Sequence, residues 1–258
     1  MDLELEGKVA YVSGSSRGIG LATAKAFLRE GASVILTGRS EDTLESAVAE
    51  CQALSTSDRV LALSGDLTRE VDIERTINKA FDRYQRLDVV VANIGSGESP
   101  AGWRLTPAQW TESLETNLIG AMALVAAAAP CLPKTGGGAV TFIGSIAGWE
   151  SLSAPIAYSA AKAALLSAMK TLSRELGRSG VRINAVVPGN VLFPGGTWDR
   201  KLAEDRERVE RYITAEVPLG RFGSAEEIAD AAVFVSSARA AFVTGACLVI
   251  DGGQTRSW

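Results

Sequence analysis

Seven short runs rich in Val and Ile alternate with stretches of helical periodicity along these 258 residues, and that alternation constrains the fold most. The runs are Val9–Ser13, Ser33–Thr37, Val60–Ser64, Val89–Ala92, Ala139–Ile143, Arg182–Val187 and Cys247–Ile250. They lack strict apolar–polar alternation, as expected of parallel strands buried on both faces. Helical patterns fall at about 18–30, 41–54, 70–84, 107–129, 155–178 and 225–237. Strand–helix repetition of this kind predicts an α/β, Rossmann-type doubly wound parallel sheet of about seven strands, with helices on both faces. Two places interrupt the rhythm. Thr135-Gly136-Gly137-Gly138 reads as a loop, and the connection from Pro188 to Pro218 is too long for an ordinary strand–helix turn. It carries Pro194-Gly195-Gly196 and a charged helical pattern near 199–213. The expectation is one domain over 1–258, with an insertion at about 190–215 where such sheets bind ligands.

Composition removes several functions. The chain has no histidine, which excludes Ser-His-Asp and Cys-His machinery and His-containing zinc sites; no metal site is expected. Acid–base chemistry near neutral pH must then use a carboxylate, Tyr, Lys or Cys with a shifted pKa. Net charge is −4, and no basic stripe marks a nucleic-acid surface. Cys51, Cys131 and Cys247 are widely spaced and odd in number, which suits free thiols in a reducing cytoplasm rather than a disulfide framework. The acidic start Met-Asp-Leu-Glu leads directly into a strand and does not read as a signal peptide. Residues 116–133 carry no charge, yet Asn117, Pro130 and Pro133 interrupt them and alanine dominates. A buried helix followed by a turn is expected there, not a membrane span.

The first strand runs into Ser13-Gly14-Ser15-Ser16-Arg17-Gly18-Ile19-Gly20 and then a helix. Glycines between a first strand and a first helix let backbone approach a pyrophosphate, which the helix N-terminus attracts. The second strand ends Thr37-Gly38-Arg39-Ser40, without the carboxylate that commonly holds the ribose hydroxyls of NAD. Arg17 and Arg39 can both point at a 2′-phosphate, which favours NADP over NAD. Alternatively Arg39 is a surface charge and Glu41 or Asp42 binds the ribose. Ser40 reads as an N-cap, with Glu41 and Asp42 complementing the helix dipole. Asp66-Leu67 ends the third strand, where the carboxylate can reach an adenine amino group. Asn93-Ile94-Gly95 ends the fourth.

Tyr158 and Lys162 stand four apart in an Ala-rich helical pattern, hence on one face. An ammonium so close is expected to lower the tyrosine pKa towards neutrality. Ser145 lies thirteen residues before Tyr158, where its hydroxyl can hold a substrate oxygen or simply cap a turn. Asn117 sits mid-helix, an unfavourable place for Asn, which points to a polar task or a buried hydrogen bond.

Together these residues resemble the short-chain dehydrogenase/reductase family, and the resemblance spans the whole chain. The family's T-G-x-x-x-G-I-G corresponds to Ser13–Gly20, with Ser for Thr, and its N-N-A-G to Ala92-Asn93-Ile94-Gly95. Its Asn, Ser, Tyr and Lys tetrad falls on Asn117, Ser145, Tyr158 and Lys162. Asn184-Ala185-Val186-Val187-Pro188-Gly189 is similar to N-x-V-x-P-G, and Thr244-Gly245 and Asp251-Gly252-Gly253 also match. Where many relatives carry Thr after this Pro-Gly, Phe193 occupies the nearest position, with Thr197 further on. The resemblance implies reversible hydride transfer between a nicotinamide and a carbonyl or secondary alcohol. Tyr158 would exchange the proton, Ser145 hold the substrate oxygen, Lys162 lower the tyrosine pKa and hold the nicotinamide ribose, and Asn117 place a relay water. Cofactor contacts are implied for Gly14, Ser16, Arg17, Gly18, Ile19, Gly20, Arg39, Asp66, Leu67, Asn93, Gly95, Tyr158, Lys162, Pro188, Gly189 and Val191.

Within the family the chain looks most like 3-oxoacyl-[acyl-carrier-protein] reductases, through its length, Val217-Pro218-Leu219-Gly220-Arg221 and the C-terminal Asp-Gly-Gly. Many sugar-alcohol, steroid and small-ketone dehydrogenases share those features. The substrate pocket is expected to use Ser145, Trp149, Phe193 and Trp198, with Gly95–Gly97 and Glu150 nearby. Arg200, Lys201, Arg206, Arg208 and Arg211 could attract an acyl carrier, but interleaved acids read as a solvated helix face. Other readings are an NAD-dependent alcohol dehydrogenase or a dinucleotide sensor without turnover. By resemblance the chain is a homotetramer: Ala-dense helices near 118–129 and 157–169 allow close subunit packing, and Trp258 would gain cover. The insertion is expected to act as a mobile lid.

Overall fold

The computed structural model describes residues 1–133 and 137–257. Thr135 and Gly136 of the expected loop, and Trp258, lie outside the described residues.

The chain opens with β1 (Val9–Val12), α1 (Gly18–Arg29), β2 (Ser33–Gly38), α2 (Glu41–Gln52), β3 (Val60–Ser64), α3 (Glu70–Tyr84) and β4 (Val89–Ala92). There follow α4 (Pro107–Leu114), α5 (Gly120–Ala128), β5 (Ala139–Ile143), α6 (Ile156–Leu176) and β6 (Arg182–Pro188). The insertion holds β7 (Val191–Leu192), α7 (Thr197–Glu204), α8 (Arg206–Glu216) and β8 (Gly223–Ser224). After it come α9 (Ala225–Ser236) and β9 (Cys247–Ile250). Seven strands form one sheet in the order β3-β2-β1-β4-β5-β6-β9, every pairing parallel. All seven expected strands are present.

Side chains of β1 show why this sheet is wound on both faces. Ala10 and Val12 pack with α1, α2 and α9, whereas Val9 and Tyr11 pack with α3, α5 and α6. Each strand is apolar on both sides because each side has a helical layer to meet. Strand order reverses between β1 and β4, which opens a crevice beyond their carboxyl ends. The glycine turn and Asn93 both sit there.

Two helical patterns differ from expectation. The 107–129 stretch is interrupted by a π-helical turn over Glu115–Ile119, which contains Asn117. By length and composition Pro107–Cys131 could cross a membrane. In the fold, Ala121, Leu124, Val125 and Ala128 instead face the core. The charged stretch near 199–213 is two helices, because Asp205 ends α7 and its carboxylate caps α8 by accepting from Arg208 N at 3.0 Å. These helices pack around a small core of Val209, Val217 and Phe222.

Candidate active site

The glycine turn is bolted to both neighbouring strands. Thr37 Oγ1 accepts from Gly14 N at 3.1 Å, and Ser15 Oγ accepts from Thr37 N at 2.9 Å. Ser13 Oγ donates to Val91 O at 3.0 Å and accepts from the N–H groups of Asn93 and Ile94 at 2.8 and 3.1 Å. Asn93 returns the link, its Nδ2 donating to Ser13 O and Gly14 O at 3.0 Å each. A Cβ on Gly20 would lie 2.3 Å from Gly14 O and 2.7 Å from Asn93 Nδ2, so only glycine admits this crossing.

α1 begins at Gly18 with no side-chain cap and no acidic residue in its first turn. Its free N–H groups and positive dipole end therefore suit a pyrophosphate. Arg17 and Arg39 are exposed at the same end of the sheet, and neither forms an ion pair among the described residues. Ser40 caps α2, accepting from Thr43 N, with Glu41 and Asp42 in the first turn. The cap reading of these acids thus holds, although Glu41 also accepts from Ser64 Oγ at 3.3 Å. Asp66 is engaged by Thr68, whose N and Oγ1 donate to it at 3.0 and 2.8 Å, while Leu67 is buried. Pro188 ends β6, and Gly189 N donates to Ile250 O at 2.9 Å. These residues fit a dinucleotide: an uncapped helix N-terminus, a glycine-bearing turn, and two cations, Arg17 before α1 and Arg39 after β2, that form no ion pair among the described residues.

The proton-handling residues meet on the other side of β4. Lys162 is 4% exposed, and its Nζ donates to Ile143 O at 2.8 Å, 6.0 Å from the Tyr158 ring centre. Asn117 is buried; its Nδ2 donates to Ser113 O at 3.1 Å and its Oδ1 accepts from Ser96 N at 2.9 Å. A Cβ on Gly95 would lie 2.9 Å from Asn117 Oδ1 and 3.2 Å from Lys162 Nζ, so amide and ammonium converge beside that glycine. The π-helical turn gives Asn117 its place there. Ser145 follows β5 and caps a short turn over Ile146–Gly148, accepting from Ala147 N at 3.2 Å. Its hydroxyl lies close enough to Tyr158 to lower the phenol's pKa. Gly148 allows that turn to rest on α6: a Cβ there would be 2.5 Å from the Lys162 carbonyl carbon. The sequence reading missed Gly148, Ser113 and Thr37; a glycine packed on a neighbouring helix leaves no local signal.

Electrostatics correct one expectation. Burial raises the Tyr158 pKa, and the hydrogen bond from Ser145 offsets this only in part. The same burial drives Lys162 down to about 8. The phenol's own burial outweighs the help of its neighbours, so it is not brought towards neutrality and the unliganded site holds a protonated tyrosine.

Not every expected pocket residue gathers at the site. Trp149 is exposed on the loop after Ser145. Glu150 accepts from the backbone N–H groups of Arg256 and Ser257, pinning the C-terminal tail to that loop. Trp198 is taken up by the insertion's own core, with ring centres 5.0 Å from Tyr212 and 4.5 Å from Phe222. Its periodicity carried no sign of those partners. Phe193 lies against the glycine turn rather than beside Ser145: a Cβ on Gly18 would stand 2.7 Å from its Cε2. Thr197 is the exposed first residue of α7.

Residues 14–255 match the family model described as enoyl-(acyl carrier protein) reductase. The chain is 35% identical to the 3-oxoacyl-[acyl-carrier-protein] reductase FabG of Escherichia coli over 252 residues, covering 98% of this chain and 99% of that one. It is also 35% identical to an L-rhamnose 1-dehydrogenase (NAD(P)(+)) of Sphingomonas sp., with 97% of each chain covered. Among solved structures it is similar to L-sorbose reductase from Gluconobacter frateurii complexed with NADPH and L-sorbose. There the TM-score is 0.93 and identity 30%, over the full length of both chains.

Proposed function

Because the chain belongs to the short-chain dehydrogenase/reductase family, oxidoreductases that act on CH–OH groups with NAD(P), we propose that it interconverts a ketone and a secondary alcohol with NADP. The observation that carries this reading is the convergence of Asn117, Ser145, Tyr158 and Lys162 beside the glycine turn. When bound, the nicotinamide supplies or accepts hydride. Charge then develops on the substrate oxygen, and the chain's own residues must answer it. Tyr158, protonated at neutral pH, donates its phenolic proton to that oxygen in reduction and takes it back in oxidation. Ser145 hydrogen-bonds both tyrosine and substrate, which fixes the donor's direction. Lys162 adds positive charge to a dry site, and Asn117 holds the Ser96 backbone in place opposite it. Gly14, Ser16, Gly18, Ile19 and Gly20 would hold the pyrophosphate, Asp66 and Leu67 the adenine, and Pro188, Gly189 and Val191 the nicotinamide side. Arg17 and Arg39 would hold the 2′-phosphate; neither pairs with a carboxylate among the described residues, which supports NADP over NAD.

The substrate class divides into two readings. Similarity to FabG supports a 3-oxoacyl thioester on a carrier. A free hydroxyketone or sugar, as named for the L-sorbose and L-rhamnose relatives, is favoured by charges on the insertion. Arg206 pairs with Glu210, Arg211 with Glu207 and Arg200 with Glu98, and Lys201 covers the Trp198 ring. Cations so occupied make a poor surface for an acidic carrier. Loss of NADPH absorbance with a panel of acyl thioesters, ketoses and cyclic ketones tests both; no turnover with any member would count against catalysis.

The same reading includes a homotetramer in the cytoplasm. Ile119 of the π turn, Ala126 of α5 and Ile156, Ala160 and Ala163 of α6 are exposed, as are Phe234 and Phe242, and such apolar surface suits close subunit packing. Free thiols at Cys51, Cys131 and Cys247 suit a reducing compartment.

A further inference from the structure

The segment leaving β6 lands directly on the glycine turn. Phe193 is wedged between two glycines of different elements. A Cβ on Gly18 would sit 2.7, 2.9 and 3.0 Å from its Cε2, Cζ and Cδ2, and a Cβ on Gly196 would sit 3.0 Å from Cε2 and Cζ. Gly18 opens α1, so the ring packs against the first residue of the helix whose N-terminus an anion must reach. A phenyl ring offers no hydrogen bond to a phosphate and displaces the water that would solvate it.

Attachments around the ring are unequal. Its base is firm: Val191 pairs with Gly223 across β7 and β8, while Asn190 donates to Gln254 Oε1 at 2.7 Å and to Tyr212 Oη at 2.9 Å. Phe193 itself packs against the main core, while the tip beyond it is tied to the rest of the fold through solvent-exposed contacts, Arg17 Nη1 to Gly195 O at 3.3 Å and the Arg200–Glu98 ion pair. Between them Gly195 adopts φ +71°, a conformation that lets the chain reverse direction.

From this geometry we infer that Phe193 is a gate on the phosphate seat of α1: the ring must leave Gly18 before a dinucleotide binds, and the tip of the insertion moves with it. The inference rests on the dinucleotide reading above. Binding is then limited by the fraction of molecules with the ring displaced, and removing the ring lifts that limit. If the displaced form is about a tenth of the population, Phe193→Ala tightens NADPH binding about tenfold. Arg39 makes no hydrogen bond or ion pair to the insertion among the described residues, so its share of the preference for NADPH over NADH stays constant.

Stopped-flow and equilibrium fluorescence of NADPH with the wild type, Phe193→Ala and Phe193→Leu provide the test. The gate predicts an observed rate that plateaus with NADPH concentration in the wild type, a faster and unsaturated rate in the Ala variant, and an intermediate Leu variant. It also predicts faster tryptic cutting at Arg200 or Lys201 in the unliganded Ala variant. Unchanged kinetics in both variants would overturn the gate, as would weaker NADPH binding in the Ala variant, which would make the ring a cofactor contact. If neither wild type nor variants bind NADPH or NADH, the dinucleotide reading fails and the gate falls with it.

Discussion

Lys162→Met isolates what burial does to the ammonium. In the unfolded chain this amine has an ordinary pKa of 10.5; in the fold it falls to about 8, and desolvation is the cause. The folded value is the lower one, so between about pH 8 and 10.5 the unfolded chain holds a proton that the native chain has released. Stability therefore rises with pH across that window. Below it the fold bears the whole cost, about 3 kcal/mol. Methionine removes that cost but also the bond to Ile143 O, worth about 1.5–3 kcal/mol for a charged donor. The two nearly cancel at pH 7, so the variant is expected within about 2 kcal/mol of wild type there. Turnover, by contrast, falls steeply. Urea denaturation at pH 7, 8, 9 and 10 reads the difference between the two proteins, which removes every other titrating group. That difference should shift in favour of the wild type by about 3 kcal/mol between the ends of the window. A difference that stays flat with pH would refute the argument that Lys162 is held charged in a desolvated site.

Arg39→Ala should narrow the NADP/NAD affinity ratio about ten- to a hundredfold, chiefly by weakening NADP, because a charged hydrogen bond to phosphate is lost. An unchanged ratio in equilibrium titrations would remove the phosphate contact. Because burial keeps the Tyr158 phenol protonated, ketone reduction should be nearly flat from about pH 6 to 8, while alcohol oxidation rises up to about tenfold per pH unit. Matching profiles in the two directions would contradict that protonation state. Sedimentation should give about four times the 27.0 kDa chain mass at micromolar concentration, and a monomer would defeat the oligomer reading.

Strands that bury both faces announce themselves, as the central ones do here, and the half-buried edge strands β3 and β9 were still legible as apolar runs. β7 and β8 were not, because two-residue pairings such as Val191–Leu192 with Gly223–Ser224 depend on what lies opposite. The tetrad was legible as chemistry: Tyr158 and Lys162 through their spacing, Asn117 through its discomfort in a helix, which the structure resolves with a π turn. Environment was not legible. Whether a phenol is solvated or dry decides where its pKa falls, and the spacing of Tyr158 and Lys162 says nothing about that. Trp198 was misplaced for a similar reason: its partners Tyr212 and Phe222 are fourteen and twenty-four residues away, beyond any helical period.

The central claim is that Tyr158 moves the proton in a hydride-transfer site, and Tyr158→Phe addresses it most directly. The ring remains and only the hydroxyl is lost, so the site keeps its packing while its donor disappears. Turnover of NADPH with an accepted ketone should be measured at saturation, alongside the NADPH dissociation constant by fluorescence. The prediction is a fall in kcat of at least about a thousandfold with cofactor affinity changed less than about threefold. A variant that keeps a tenth or more of wild-type turnover (about 1.4 kcal/mol or less of barrier) would contradict the account.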